Sequence, residues 1–160
     1  MKIVPVFALL AITCGGSGFG GQSCTEIGCS DGLTVVVPSD AEWPAGDYRF
    51  VVDVEGTTTT CSGSLPLPPC ETRAITCDRE GVVQITESGC ALSAEQHAFG
   101  ELHFLQGTPS SVRVEIYHQD RAVAQQSFTP TYQTVQPNGP GCGPICEQAS
   151  VELPLDFGAR

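Results

Sequence analysis

Short runs of alternating apolar and polar residues fill most of this chain, and glycines and prolines separate them. In Asp47 to Glu55, the residues Tyr48, Phe50, Val52 and Val54 share one face, whereas Arg49, Asp53 and Glu55 share the other with Val51. A period of two is the pattern of a strand with one face buried. Ser111 to His118 repeats it, with Val112, Val114 and Ile116 inward and Arg113, Glu115 and Tyr117 outward. Further strands are expected at Leu33 to Val37, Thr57 to Cys61, Arg73 to Cys77, Val82 to Thr86, Phe99 to Leu105, Ala122 to Phe128 and Ser150 to Leu155. In the last of these, Val151, Leu153 and Leu155 carry the apolar face. The one helical expectation is Ser93 to Ala98, with Ser93 as a cap before Glu95-Gln96 and one or two turns at most. Short strands with turns about every ten residues predict an all-β sandwich or barrel. Two long stretches lack the alternation: Ser62 to Thr72, with Pro66, Pro68 and Pro69, and Tyr132 to Pro144. Both read as loops, functional or pinned by disulfides.

The chain has nine cysteines. Setting Cys14 aside leaves an even set of eight: Cys24, Cys29, Cys61, Cys70, Cys77, Cys90, Cys142 and Cys146. Eight cysteines pair in 105 ways, so the count alone fixes no connectivity. Position narrows it. Cys24 and Cys29 precede the first apolar strand, and Cys142 and Cys146 precede the last. If those strands run side by side in parallel, a staple between the two clusters is easy and the middle four pair among themselves. Local pairs Cys24–Cys29 and Cys142–Cys146 are the competing pattern.

Cys14 ends an apolar run, Ile3 to Thr13, that opens with Met1-Lys2 and is followed by a glycine-rich stretch. The run is too short to span a bilayer as a helix, which takes about 20 residues. It has the proportions of a secretory signal. Ala11-Ile12-Thr13-Cys14 resembles a bacterial lipobox, though Ala11 stands where leucine is usual and Thr13 is bulky. The resemblance implies a signal peptide over 1–13, a lipidated Cys14, and a tether over 14–23 before a domain at 24–157. Gly15 in place of an aspartate implies delivery to the outer membrane. Each buried methylene contributes about 0.8 kcal/mol, so two or three acyl chains anchor stably where one does not.

Trp43-Pro44-Ala45-Gly46-Asp47-Tyr48 resembles the way a strand begins in bacterial immunoglobulin-like and transthyretin-like domains, where a Pro-x-Gly turn feeds an aromatic onto the inner face. The fold expected is therefore a disulfide-rich, immunoglobulin-like β-sandwich with at most one short helix. The anchor, the cysteine density and the loop Pro137-Asn138-Gly139-Pro140-Gly141-Cys142 together resemble cysteine-rich bacterial lipoproteins, a likeness that implies an envelope location and no particular activity.

Charge excludes some partners. Lys2 is the only lysine, so a chain starting at Cys14 carries six arginines against eighteen acids, a formal net charge of −12. Such a surface repels nucleic acid and anionic headgroups. The membrane is then a partner only through the lipid.

No catalytic set emerges. Cys142-Gly143-Pro144-Ile145-Cys146 is one residue longer than a thioredoxin-type site, and a strand rather than a helix follows it. Ser62-Gly63-Ser64 lacks a nucleophile elbow. The cysteine spacings lack a zinc pair, and neither a calcium loop nor a phosphate loop is present. His97, His103 and His118 could form a metal site in principle, but hydrogen-bonded or solvated rings are expected, with His103 facing outward. No cofactor or metal is expected. The functional expectation is a non-catalytic interaction module for a protein or glycan. A hydrolase-like enzyme using scattered acids or histidines and a structural envelope protein are the alternatives. An exposed cluster of Trp43, Tyr117 and Tyr132 would favour binding, and two carboxylates in a cleft would favour the enzyme.

Overall fold

A computed structural model of the protein describes residues 23–38 and 42–158. The lipidation residue Cys14, the signal segment and most of the tether lie outside the described residues. The strands are β1 (Gly32–Val36), β2 (Gly46–Val54), β3 (Thr57–Leu65), β4 (Thr76–Cys77), β5 (Val83–Ser88), β6 (Ala98–Phe104), β7 (Val112–His118), β8 (Arg121–Phe128), β9 (Gln133–Val135) and β10 (Cys146–Glu152). They form two five-stranded sheets, β5-β6-β1-β10-β9 and β4-β3-β2-β7-β8.

The alternation places the core between the sheets. Tyr48, Phe50 and Val52 of β2 and Val112, Val114 and Ile116 of β7 face Leu33, Val35, Phe99 and Leu102 of the other sheet, all buried. Phe50 and Phe99 meet edge to face across the gap, with ring centroids 5.3 Å apart. Such pairs add to the burial that drives the sheets together. Adjacency is that of an immunoglobulin-like sandwich. Strands β5, β6 and β1 stand as D, E and B, and β3, β2, β7 and β8 stand as C′, C, F and G. The difference lies beside β1, where the C-terminal β10 takes the place of strand A and runs parallel, with Gly32 opposite Gln148 and Val36 opposite Glu152.

That parallel pair is clamped at its head. Disulfides join Cys24 to Cys142 and Cys29 to Cys146. Between them, Asn138 accepts the Ile27 N–H and donates to the Ile27 carbonyl. The inner four cysteines pair as Cys61–Cys77, register partners on β3 and β4, and Cys70–Cys90, which ties the loop after β3 to the segment after β5. The staple between the terminal clusters is thus present and the local pairs are not.

Several boundaries differ from the alternation. The last strand begins at Cys146, four residues before Ser150, because β9 pairs it from Cys146, opposite Val135, and β1 joins from Gln148, opposite Gly32. Ser62 to Leu65 are strand rather than loop: Gly63 lets β3 pass under Ile75, whose Cδ1 would lie 2.6 Å from an added Cβ. Only Thr76–Cys77 of Arg73 to Cys77 pairs as strand. The expected helix is a single 3₁₀ turn, Ala94–Gln96, in which Ser93 makes no side-chain cap. The loop from Tyr132 contains β9, whose three residues are too few to show a period.

Candidate functional site

The outer face of the sheet β5-β6-β1-β10-β9 carries an open groove of about 960 Å³. Register explains its lining. Gln84, His103, Thr34 and Ser150 stand opposite one another in a row across β5, β6, β1 and β10. A second row runs from Gly32 through Gln148 to Gln133. These are the outward positions of strands whose alternate residues form the core, so packing fixes their backbones. Leu105, 52% exposed, forms an apolar wall. The lining holds two carboxylates, Asp31 and Glu101, and no lysine or arginine.

The polar groups are partly engaged. Thr34 Oγ1 lies 3.2 Å from His103 Nδ1, and His103 Nε2 lies 3.2 Å from Glu101 Oε2. Asp31 accepts the Glu147 N–H, and Gln148 donates to the Ser30 carbonyl. Gln84, Gln133 and Ser150 spend no side-chain hydrogen bond within the described residues.

The opposite outer face is also polar. On β2 and β7, the Arg49 guanidinium lies 3.9 Å from the centroid of the Tyr117 ring, a cation–π contact. The Tyr117 hydroxyl donates to Glu115, which holds that carboxyl below its ordinary value, and Glu115 in turn pushes the Tyr117 phenol up. Arg113 and Gln125 close the network on Glu115. This face has a smaller hollow lined by Val51, Asp53, Thr58, Arg113 and Glu115, and the carboxylate of Glu115 is already engaged by its neighbours.

The three aromatics whose clustering would favour binding are dispersed. Trp43 packs inward against Tyr48, Phe99 and Phe157, with centroids 5.2, 5.4 and 6.1 Å away. Tyr117 stands on the outer face of β7, and Tyr132 caps the sandwich end, donating to the Pro109 carbonyl. Among the described residues no ring contact joins any two of them. The histidines are dispersed too. His97 is buried and accepts the Leu67 N–H at 2.8 Å, His118 stacks on Tyr48, and His103 lies in the groove. Among the described residues no cluster of ligating side chains could hold a metal ion. Sequence reasoning missed the groove because its glutamines come from β5, β9 and β10, and a glutamine on an outward strand position reads as solubility. The available signal was the run of amide and hydroxyl residues at outward positions of neighbouring strands.

No protein-family model, curated protein or solved structure matches this chain.

Proposed function

We propose that the protein is a bacterial envelope lipoprotein, anchored through Cys14, whose sandwich is a non-catalytic interaction module. The observation that carries this reading is the clamp before β1. A domain hung on a tether takes load through its first residues. Here that load meets Cys24–Cys142 and Cys29–Cys146 before it reaches the β1 ladder. Four disulfides belong to an oxidising compartment, which supports export. The Ala11-Ile12-Thr13-Cys14 segment supplies the anchor, and Gly15 supports the outer membrane. The groove supplies a rigid polar surface for a protein or glycan ligand.

Two measurements test the two halves. Mass analysis of the N-terminal peptide of the mature protein should find it starting at a diacylglyceryl-modified Cys14. A mature chain that starts elsewhere defeats the anchor. Purified mature protein in detergent should be retained saturably by delipidated envelope fragments of its host. Absent or unsaturable retention defeats the module.

A hydrolase is the second reading, favoured by Asp31 and Glu101 sharing the groove and by the line Thr34–His103–Glu101. Hydroxyl, imidazole and carboxylate in that order is a nucleophile, base and orienter. Against it, Thr34 sits on a strand paired on both sides, so neighbouring backbone donors are spent in ladders rather than aimed at an oxyanion.

A further inference from the structure

We propose that the groove on β5-β6-β1-β10-β9 binds a neutral, polyhydroxylated ligand, a short segment of glycan. The proposal rests on the interaction-module reading and names its ligand.

Three features point to this chemistry. The first is the kind of group on offer. Gln84, His103, Thr34, Ser150, Gln148 and Gln133 present amides, hydroxyls and an imidazole on one rigid face. Each amide both donates and accepts, as each sugar hydroxyl does. Gln84, Gln133 and Ser150 keep that capacity unspent within the described residues.

The second feature is charge. The groove has carboxylates at Asp31 and Glu101 and no arginine or lysine, so an anionic ligand is repelled. Carboxylate oxygens accept strongly from hydroxyl groups. Glu101, held by His103 at 3.2 Å, is positioned to do so.

The third is the backbone. β1 is paired to β10 over its whole length and to β6 at Leu33 to Val35, so an extended peptide laid over the centre of the groove finds no free ladder there. Affinity must come from side chains, which favours a ligand with a polar group on nearly every carbon. The floor at Gly32 stays bare, because a Cβ there would lie 2.8 Å from the Phe104 carbonyl oxygen. Leu105 offers the apolar wall against which the C–H face of a ring packs.

The test uses mature ¹⁵N-labelled protein in a zwitterionic detergent, since sugar-headed detergents would compete. The probes are six-residue oligomers of glucose and of N-acetylglucosamine, a uronic-acid oligomer of equal length, and a polar Gly-Ser peptide. One neutral oligomer should saturate shifts in the side-chain amides of Gln84, Gln133 and Gln148. The uronic-acid oligomer should bind at least about tenfold more weakly. Gln84→Ala and Gln133→Ala, which break no internal bond, should each weaken binding about two- to tenfold. The proposal is overturned if neither neutral oligomer gives a saturable shift, if shifts map to the Arg49–Tyr117 face, or if the peptide binds the groove more tightly. Silence from both sugars alongside retention on envelope fragments would leave the module and remove its glycan. Binding followed by shortening of the oligomer would keep the site and replace the module with the hydrolase.

Discussion

Cys29 stands three residues before β1, and its disulfide partner Cys146 is the first residue of β10, so a covalent bond sits at the head of a parallel strand pair. Parallel neighbours need a long connection, and here nearly the whole domain is that connection. The second bond, Cys24–Cys142, closes almost the same loop, with a sequence separation of 118 against 117.

Redundancy makes the two bonds non-additive. Chain entropy assigns about 5 kcal/mol to a single closure of that size. With one bond kept, its neighbour closes only a ring of roughly ten residues, so losing either alone should cost about 2.5 kcal/mol. Cys24→Ser/Cys142→Ser and Cys29→Ser/Cys146→Ser should each lower stability by that amount. The quadruple variant should lose about 7 to 8 kcal/mol, more than the two together. Urea titrations give the three values. A quadruple loss equal to the simple sum would mean that the bonds act locally and not as one clamp.

Thiol counting checks the framework and the anchor at once. Mature protein alkylated under denaturing conditions should take no label before reduction and eight after if the proposed lipid blocks Cys14 as a thioether, since all four disulfides open on reduction. One label before and nine after would keep the disulfides and remove the lipid. Two or more labels before reduction would contradict the pairing itself.

The core was legible wherever one face of a strand is buried. Tyr48, Phe50 and Val52 announce β2 by alternation alone, because β2 lies between β3 and β7 with solvent on one side. The matched placing of Cys24/Cys29 and Cys142/Cys146 pointed to a parallel pair with a staple between the clusters, but local pairs fitted the same spacing, and only the pairing across the clusters separates the two. What stayed hidden depends on partners far along the chain. Gly63 reads as a loop residue until Ile75 is seen above it. Trp43 reads as a surface aromatic until Phe99 and Phe157 surround it. The groove needs the β5–β6–β1–β10–β9 order, which no local pattern encodes.

Thr59 and His97 are both buried polar residues, and opposite outcomes are expected from them. His97 Nδ1 accepts the Leu67 N–H at 2.8 Å, so His97→Ala strands a buried donor and opens a void. A loss of about 2 to 4 kcal/mol is expected. The Thr59 hydroxyl has no hydrogen-bond partner among the described residues, so Thr59→Val exchanges an unpaired polar atom for a methyl of similar shape. That change should stabilise by about 1 kcal/mol. Denaturation midpoints of the two variants should move in opposite directions. A destabilised Thr59→Val would show that the hydroxyl holds a bond after all.

The last prediction concerns alkaline pH. Tyr48 is 2% exposed, its ring packed between Trp43, Phe99 and His118, and its hydroxyl donates to the Pro44 carbonyl at 2.6 Å. Burial pushes the phenol above its ordinary value near 10. The unfolded chain therefore ionises this tyrosine before the folded chain does. The unfolded state binds fewer protons above that pH, so stability is full below about pH 10 and falls as pH rises beyond it. The limiting slope is about 1.4 kcal/mol per pH unit for one such group. Tyr132, raised by partial burial, and Tyr117, raised by Glu115, contribute in the same direction. Tyr48→Phe keeps the ring contacts and deletes the ionisable group. At pH 8 it should be less stable than the parent by about 1 kcal/mol, the value of the lost bond to Pro44. Between pH 9.5 and 11 the two curves should converge and then cross, because only the parent continues to lose Tyr48 stability. Urea midpoints measured across that window decide it. Parallel curves would mean that the Tyr48 phenol ionises as readily in the folded chain as in the unfolded one.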